Sequence, residues 1–123
     1  MTELLHREKC CEIVGAAMRV WNELGPGFLE RVYENALMIE LQEAGIHAEQ
    51  QRPVTVHYHG QRVGEYTVDI LVDDEIILEL KAVERIVDAH VAQILNYLKA
   101  TGKRLGIILN FGPKGLEHRR PVM

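Results

Sequence analysis

The stretch from Val63 to Ala82, VGEYTVDILVDDEIILELKA, decides the fold, because apolar and polar residues alternate on both sides of an acidic turn. Alternation with a period of two is typical of β-strands that bury one face. The two halves meet at Asp73-Asp74-Glu75, so the stretch predicts a β-hairpin. The residues expected on its apolar face are Tyr66, Val68, Ile70, Val72, Ile76, Leu78 and Leu80.

The opposite face of this hairpin carries two carboxylates and a lysine. A loop of the three residues 73–75 places Asp69 directly opposite Glu79, with Lys81 on the same face. Directly opposed residues of an antiparallel pair have Cβ atoms about 4.5–5.5 Å apart. Two carboxylates that close repel each other unless a cation lies between them, and hard divalent cations prefer such oxygen ligands. A two-residue loop would send the two carboxylates to opposite faces.

An ordinary solvated strand face is the alternative interpretation of these charges. Charged residues on a strand face are commonly solvated or ion-paired, so Asp69, Glu79 and Lys81 also suit an amphipathic hairpin without a site. Leu71 and Ile77 share that face and indicate that it is partly covered. Spacing alone leaves both interpretations open.

The composition indicates an ordinary globular chain. Its 123 residues, 47% apolar and 26% charged, predict one domain with a real core. The net charge of −4 lacks the basic excess of most nucleic-acid-binding proteins, although a localised basic groove would be compatible with it.

Cysteine usage and hydropathy indicate the compartment. Cys10 and Cys11 are adjacent and have no partner pair elsewhere, so neither a disulfide framework nor a cysteine-based metal site is expected. Their presence suits a reducing cytoplasm. No apolar run approaches about 18 residues and no signal-peptide pattern opens the chain, so neither a membrane-spanning nor a secreted protein is expected.

Apolar spacing elsewhere predicts the order α-α-β-β-β-α-β. An N-terminal helix over 3–24 ends at Gly25-Pro26-Gly27, and the tail 113–123 is expected to be loop-like. The last strand follows a crossover helix and should therefore join the sheet in parallel. The sequence thus predicts an α/β fold, a small mixed β-sheet flanked by helices with its core over 28–112. The remaining elements are a helix from about Leu29 to Ala44 (buried stripe Val32, Ala36, Leu37 and Leu41), a strand over 53–58, a helix over 88–101 with Asp88 as its N-cap, and a strand over 105–111.

The helix over 88–101 has a polar stripe in addition to its apolar one. His90, Gln93 and Tyr97 stand at i, i+3 and i+7, so their side chains share one side of the helix. Structural roles are available for each: a backbone contact for Gln93, a helix-start position for His90 and packing for Tyr97.

These residues resemble the PD-(D/E)XK nuclease superfamily, in which an Asp on one strand, Glu-x-Lys on the next and a Gln on the following helix occur in a restriction-endonuclease-like core. The segment Gly27-Phe28-Leu29-Glu30-Arg31-Val32-Tyr33 is similar to the signature of the small prokaryotic GxxExxY proteins, which are assigned to that superfamily. The resemblance extends over residues 13–112. It departs from the superfamily name at Val68, which stands where a proline would precede Asp69.

The resemblance implies a role for each of these residues. Asp69 and Glu79 would bind Mg²⁺ or Mn²⁺ together with the carbonyl of Leu80. Lys81 would orient or help deprotonate the attacking water and neutralise charge on the phosphate. Glu30 resembles an additional carboxylate that shapes the metal site, although its place in the first turn of a helix also suits a dipole role. Gln93 resembles a glutamine that supports the site or contacts substrate.

The function expected from this resemblance is a divalent-metal-dependent nuclease that hydrolyses phosphodiester bonds in DNA or RNA. Nucleic acid would be its partner, no membrane is involved, and a homodimer is a further expectation. The alternative is a non-catalytic nucleic-acid- or protein-binding module, or a scaffold subunit, on the same fold. The acidic composition favours this alternative, and an exposed sheet edge would allow self-association.

Overall fold

A computed structural model of the chain describes residues 2–121, with side chains from residue 6 onward. The helices are α1 (Thr2–Leu24), α2 (Glu30–Glu43) and α3 (Asp88–Thr101), and the strands are β1 (Ala48–Tyr58), β2 (Gln61–Val72), β3 (Ile76–Lys81), β4 (Leu105–Phe111) and β5 (Leu116–Arg119). The strands form one sheet in the order β1-β2-β3-β4-β5, in which β3 and β4 are parallel and all other neighbours are antiparallel. The predicted α/β architecture with a mixed sheet and a parallel β4 is confirmed.

Helices cover both faces of this sheet. On one face, α1 and α2 enclose a core that includes Ile70, Val72, Leu78 and Leu80. On the other, α3 covers a second core that includes Val68, Leu71 and Ile77. The strands β3 and β4 are buried nearly throughout, as expected for parallel strands covered on both sides. Among the described residues, no helix is long and apolar enough to cross a membrane.

The predicted hairpin is present with its predicted turn. Val72 pairs with Ile76, and Asp73 and Asp74 adopt positive φ angles of 49° and 58° in the three-residue loop. The regular ladder ends after the third pair, Ile70 with Leu78, because β2 and β3 separate there. Asp69 and Glu79 are therefore next in register but lie just beyond the last backbone pair.

The prediction of a single apolar face is wrong for this hairpin. Leu71 and Ile77 are buried because α3 covers the face that carries the charged residues, which was expected to be only partly covered. Val68 packs with α3 whereas Ile70 packs with α1 and α2, so the alternation of β2 shifts at Asp69. The neighbouring strand is irregular at the same level, where Gln51 adopts a φ of 55°.

Several predicted boundaries also differ. The strand β1 begins at Ala48 rather than Pro53, because polar residues at a sheet edge can pair without being buried. The tail is not all loop, since Leu116–Arg119 pairs with β4. The N-cap of α3 is Val87 rather than Asp88. Val32 is 39% exposed, because the buried face of α2 runs through Tyr33, Glu34, Leu37 and Leu41.

Candidate active site

Two acidic side chains replace the backbone bonds that are lost where β2 and β3 separate. The backbone N–H of Asp69 donates to Oε1 of Glu79 over 3.3 Å, and the backbone N–H of Leu80 donates to Oδ2 of Asp69 over 2.8 Å. Glu79 is only 5% exposed, and Asp69 is half-buried. The predicted carboxylate pair is therefore formed, at a position of low exposure rather than on a solvated strand face.

This burial changes the acidity of both carboxyl groups. Burial, followed by the neighbouring Asp69 carboxylate, raises the pKa of Glu79 to about 9. Burial also raises the pKa of Asp69; the N–H of Leu80 opposes the rise, and the charges of Glu34 and Glu30 add to it. At neutral pH the pair without a cation therefore holds a proton. A divalent cation can take the place of that proton, because it neutralises both carboxylates at once.

The donor set at this position suits a magnesium-like ion with an incomplete protein ligand set. Within residues 6–121, no three His, Cys, Asp or Glu side chains are grouped to hold a metal ion between them. Mg²⁺ commonly uses one or two carboxylates and takes its remaining ligands from water and substrate phosphates. The two carboxylates fit that pattern, whereas a fully protein-enclosed cation does not.

The lysine of the predicted set is held by α3. Nζ of Lys81 donates to Oε1 of Gln93 over 3.1 Å, and Nε2 of Gln93 donates to the hydroxyl of Tyr97 over 3.1 Å. Burial and then the nearby Glu79 carboxylate raise the pKa of Tyr97, so its hydroxyl remains neutral. Two members of the predicted polar stripe therefore join the site.

His90, the third member of that stripe, does not join the site. Its Nδ1 accepts the backbone N–H of Val87 over 3.0 Å at the start of α3. This contact satisfies a free N–H at the N-terminus of the helix. His90 thus has the helix-start role that was expected from the sequence.

The helix α2 supplies two further carboxylates. Glu30 begins this helix and is exposed, and its charge reaches Asp69 without direct contact. Glu34, one turn later, is only 3% exposed and has the larger effect on the pKa of Asp69. Its carboxylate accepts hydrogen bonds from the side-chain amides of Gln50 and Gln51 on β1.

Glu34 is not among the predicted site residues, whereas Glu30 on the same helix is. A signal was present: Glu34 precedes Leu37 by three residues and Leu41 by seven, which is the spacing of one helix face. A carboxylate on a buried stripe needs polar partners or a functional reason. Here both the partners and the proximity to Asp69 exist.

The connector that follows Lys81 is held by side chains from β4 and β5. The amide of Asn110, only 1% exposed, accepts from the N–H of Val83 and donates to its carbonyl, each over 2.9 Å. Glu117 accepts from the N–H of Ile86 over 2.8 Å and from Asn110 over 3.3 Å. These bonds fix the segment between Lys81 and α3, and hence the distance from Lys81 to Gln93.

Comparisons with known proteins agree with this arrangement. The sequence model of the PD-(D/E)XK nuclease superfamily matches residues 7–121. The crystal structure of the protein SSO0001 is similar with a TM-score of 0.62 at 16% identity, over 75% of this chain and 48% of that chain, so the chain spans about half of that protein. An alkaline exonuclease from Laribacter hongkongensis is similar with a TM-score of 0.50 at 12% identity, over 86% of this chain and 75% of that chain.

At such low identity the two structures establish the fold alone, which is the predicted restriction-endonuclease-like one. No protein with a curated description matches the sequence. The superfamily match, in contrast, extends over nearly the whole chain. The chain therefore belongs to the PD-(D/E)XK nuclease superfamily.

Proposed function

We propose that this protein is a nuclease that hydrolyses phosphodiester bonds in DNA or RNA with Mg²⁺ or Mn²⁺. The observation that carries the proposal is the pair of the half-buried Asp69 and the buried Glu79, next to a lysine that a glutamine and a tyrosine hold in place. A solvated ion pair requires neither burial nor such support. Superfamily membership agrees with a nuclease-type function.

The residues divide the chemistry between them. Asp69 and Glu79 would hold the metal ion, with the Leu80 carbonyl as a further ligand. When bound, the ion polarises a phosphoryl oxygen and makes a water molecule more acidic. Lys81, oriented by Gln93, directs its ammonium toward the phosphate, where it stabilises the developing negative charge and orients the attacking water.

The additional carboxylates act on the same site through their charge. Glu30 and Glu34 raise the cost of ionising Asp69, so they increase the gain when a cation binds there. Glu30 is exposed and free to contact a hydrated cation, in line with its predicted role in shaping the metal site. Glu34 is buried and bonded to two glutamines, so it supports the site from behind.

A non-catalytic binding module is the second candidate, and the net charge of −4 favours it. Association through the free edge of β1 is less favourable, because Pro53 and the irregular Gln51 interrupt that edge. A homodimer would need an exposed apolar surface, and α2 with its N-cap presents Leu29 (80% exposed), Val32 and Ile39 (58% exposed) for this purpose. Light scattering over a range of concentrations would measure this association.

Two finer assignments complete the proposal. The segment from Gly27 to Tyr33 supports placing the chain among the GxxExxY proteins, because the charge of Glu30 acts on Asp69 and the hydroxyl of Tyr33 fixes the loop before Glu30. Cys10 and Cys11 are both free thiols, in support of a reducing compartment such as the cytoplasm.

The test is cleavage of labelled single- and double-stranded DNA and RNA with Mg²⁺ or Mn²⁺. We expect the wild type to cut at least one of these substrates and Lys81→Ala to be slower by about 100-fold or more, as for loss of a group that stabilises a transition state. Lys103→Ala is the matched control, because Lys103 is paired with Asp74 at the other end of the sheet. Metal-dependent stabilisation without cleavage of any substrate would favour the binding module. Absence of both would refute the proposal.

A further inference from the structure

Two aromatic rings beside the candidate active site are half-exposed and yet firmly supported. Tyr66 on β2 is 50% exposed, and Phe28 in the loop before α2 is 46% exposed. The ring of Tyr66 packs against that of Tyr97, with centroids 5.3 Å apart and planes inclined by 55°. The ring of Phe28 packs edge-on against that of Tyr33 at 6.1 Å. Each exposed ring therefore rests on a buried tyrosine.

The two supporting tyrosines connect these rings to the site. Tyr97 accepts a hydrogen bond from Gln93, which in turn holds Lys81. Tyr33 donates its hydroxyl proton to the carbonyl of Gly25 over 2.6 Å and accepts from the N–H of Phe28 over 3.2 Å. The second pair of bonds fixes the loop that leads into Glu30.

The two exposed rings rest on tyrosines that belong to the cores on opposite faces of the sheet. Tyr33 belongs to the core between the sheet and α1 with α2, whereas Tyr97 belongs to the core under α3. The carboxylate pair lies between the two cores, at the point where β2 and β3 separate. The charges of Glu79 and Asp69 act on Tyr97, and the charge of Glu30, two residues after Phe28, acts on Asp69. Both supporting elements therefore lie within electrostatic range of the carboxylate pair.

The net charge of −4 makes a duplex an unfavourable ligand. Proteins that bind duplexes neutralise many phosphates with lysines and arginines. Here the arginines of the β1–β2 hairpin are already paired, Arg52 with Glu49 and Arg62 with Glu65. Stacking of bases on aromatic rings adds binding free energy that does not come from phosphate charge, and it requires bases whose faces are free.

We propose that Tyr66 and Phe28 stack on unpaired bases on either side of the phosphate bound at Asp69 and Glu79, so that the ligand class is single-stranded nucleic acid. This inference rests on the proposed function for the position of the phosphate. It adds two specificity-determining residues that contact bases rather than the reacting atoms. A base in a duplex is already stacked on both faces and cannot use these rings without unpairing.

The experiment measures binding rather than cleavage. Fluorescence anisotropy is followed for labelled oligothymidylate and oligouridylate of about 12 nucleotides, for a DNA duplex of the same length, and for an abasic strand of the same charge. Ca²⁺ is the cation in solution, and a gel verifies that the strands stay intact. Tyr66→Ala and Phe28→Ala should each weaken single-strand binding by about tenfold, since one stacked base is lost. Tyr66→Phe should stay within about twofold of the wild type, because the ring remains.

Tyr58→Ala is the matched control, because Tyr58 is 65% exposed at the tip of the β1–β2 hairpin and packs on His59 instead. We expect its binding to be unchanged. If Tyr66→Ala melts early, Tyr66→Ile keeps a strand-forming side chain without the ring and should show the same loss. Tighter binding of oligouridylate would indicate an RNA ligand, and tighter binding of oligothymidylate would indicate a DNA ligand.

The inference is overturned if the wild type binds no single strand, if it binds the duplex or the abasic strand as tightly, or if neither alanine variant changes affinity. Cleavage with Mg²⁺ separates this result from the proposed function. Binding that depends on the two rings, with no cleavage, would refute the nuclease function and support the stacking role of Tyr66 and Phe28. Cleavage that is unaffected by Tyr66→Ala and Phe28→Ala would support the nuclease function and refute the stacking role of the two rings.

Discussion

The two halves of the central hairpin differ in what holds their strands together. Near the turn, Ile70, Leu71 and Val72 pair with β3 through the backbone and are buried under helices on both faces. Beyond Ile70 the backbone pairs end, and the side chains of Asp69 and Glu79 bond to N–H groups of the opposite strand. The first half is a stable frame. The second half contains one buried and one half-buried carboxyl group, and ionising both without a cation would lower the stability of the fold. Such an arrangement is typical of functional sites.

The largest effect on stability should come from the paired half. Leu78→Ala removes a fully buried side chain from the core under α1 and α2 and should lower the free energy of unfolding by about 3–5 kcal/mol. Urea denaturation measures it, with Val63→Ala as a control, because Val63 is 61% exposed. A loss below about 1 kcal/mol would mean that the paired half of the hairpin contributes little to the stability of the fold.

The half that contains Asp69 and Glu79 should lose stability as the pH rises, whereas most acidic groups in proteins lose stability as the pH falls. The pKa of Glu79 is raised from 4.5 to about 9, so the folded metal-free protein binds this proton more tightly than the unfolded chain does. Its stabilisation is complete below about pH 4.5 and is lost as the pH rises toward 9, by up to about 1.4 kcal/mol per pH unit. Glu79→Gln cannot lose the proton. With EDTA present, the melting temperature of the wild type should therefore fall from pH 6 to pH 9 relative to that of Glu79→Gln, and parallel curves would contradict the assignment.

A smaller effect should appear on adding metal. Mg²⁺ at about ten times its dissociation constant should stabilise the wild type by about 1.4 kcal/mol, a shift of a few degrees in melting temperature. Glu79→Gln should abolish the shift, because it removes one of the two charged ligands. Glu40→Gln changes a carboxylate that is bonded to Arg19 away from the site, and it should keep the shift. An equal shift in both variants would show that Mg²⁺ acts on general surface charge.

The smallest effect concerns the support of the lysine. Tyr97→Phe keeps the buried ring and its contact with Tyr66 but removes the oxygen that accepts from Gln93. We expect cleavage to slow by about three- to tenfold through kcat, the value of one hydrogen bond, with KM nearly unchanged. Tyr58→Phe serves as the control. An unchanged kcat would mean that Gln93 keeps its orientation without the tyrosine.

Local pattern was enough to predict much of the fold and half of the candidate site. Alternation around Asp73–Glu75 placed Asp69 next to Glu79 in register, because side chains in a strand repeat with a period of two. Helical spacing brought Gln93 and Tyr97 to one side of α3. Leu71 and Ile77 indicated that their strand face is partly covered, but the same patterns could not reveal that α3 covers it and forms a second core there.

What the sequence alone determined is the set of features that depend on near neighbours: the order of the elements through β4, the turn of the hairpin, and the polar stripe of α3 that holds Lys81. What only the tertiary structure decided depends on residues far apart in the chain. Asn110 bonds to Val83 across 27 positions, and Glu117 bonds to Ile86 across 31. The strand β5, the buried Glu34 and the opening of the sheet at Asp69 are of the same kind. These features are stabilised by burial and by hydrogen-bond partners that come together only when the whole chain has folded. A local sequence pattern therefore cannot predict them.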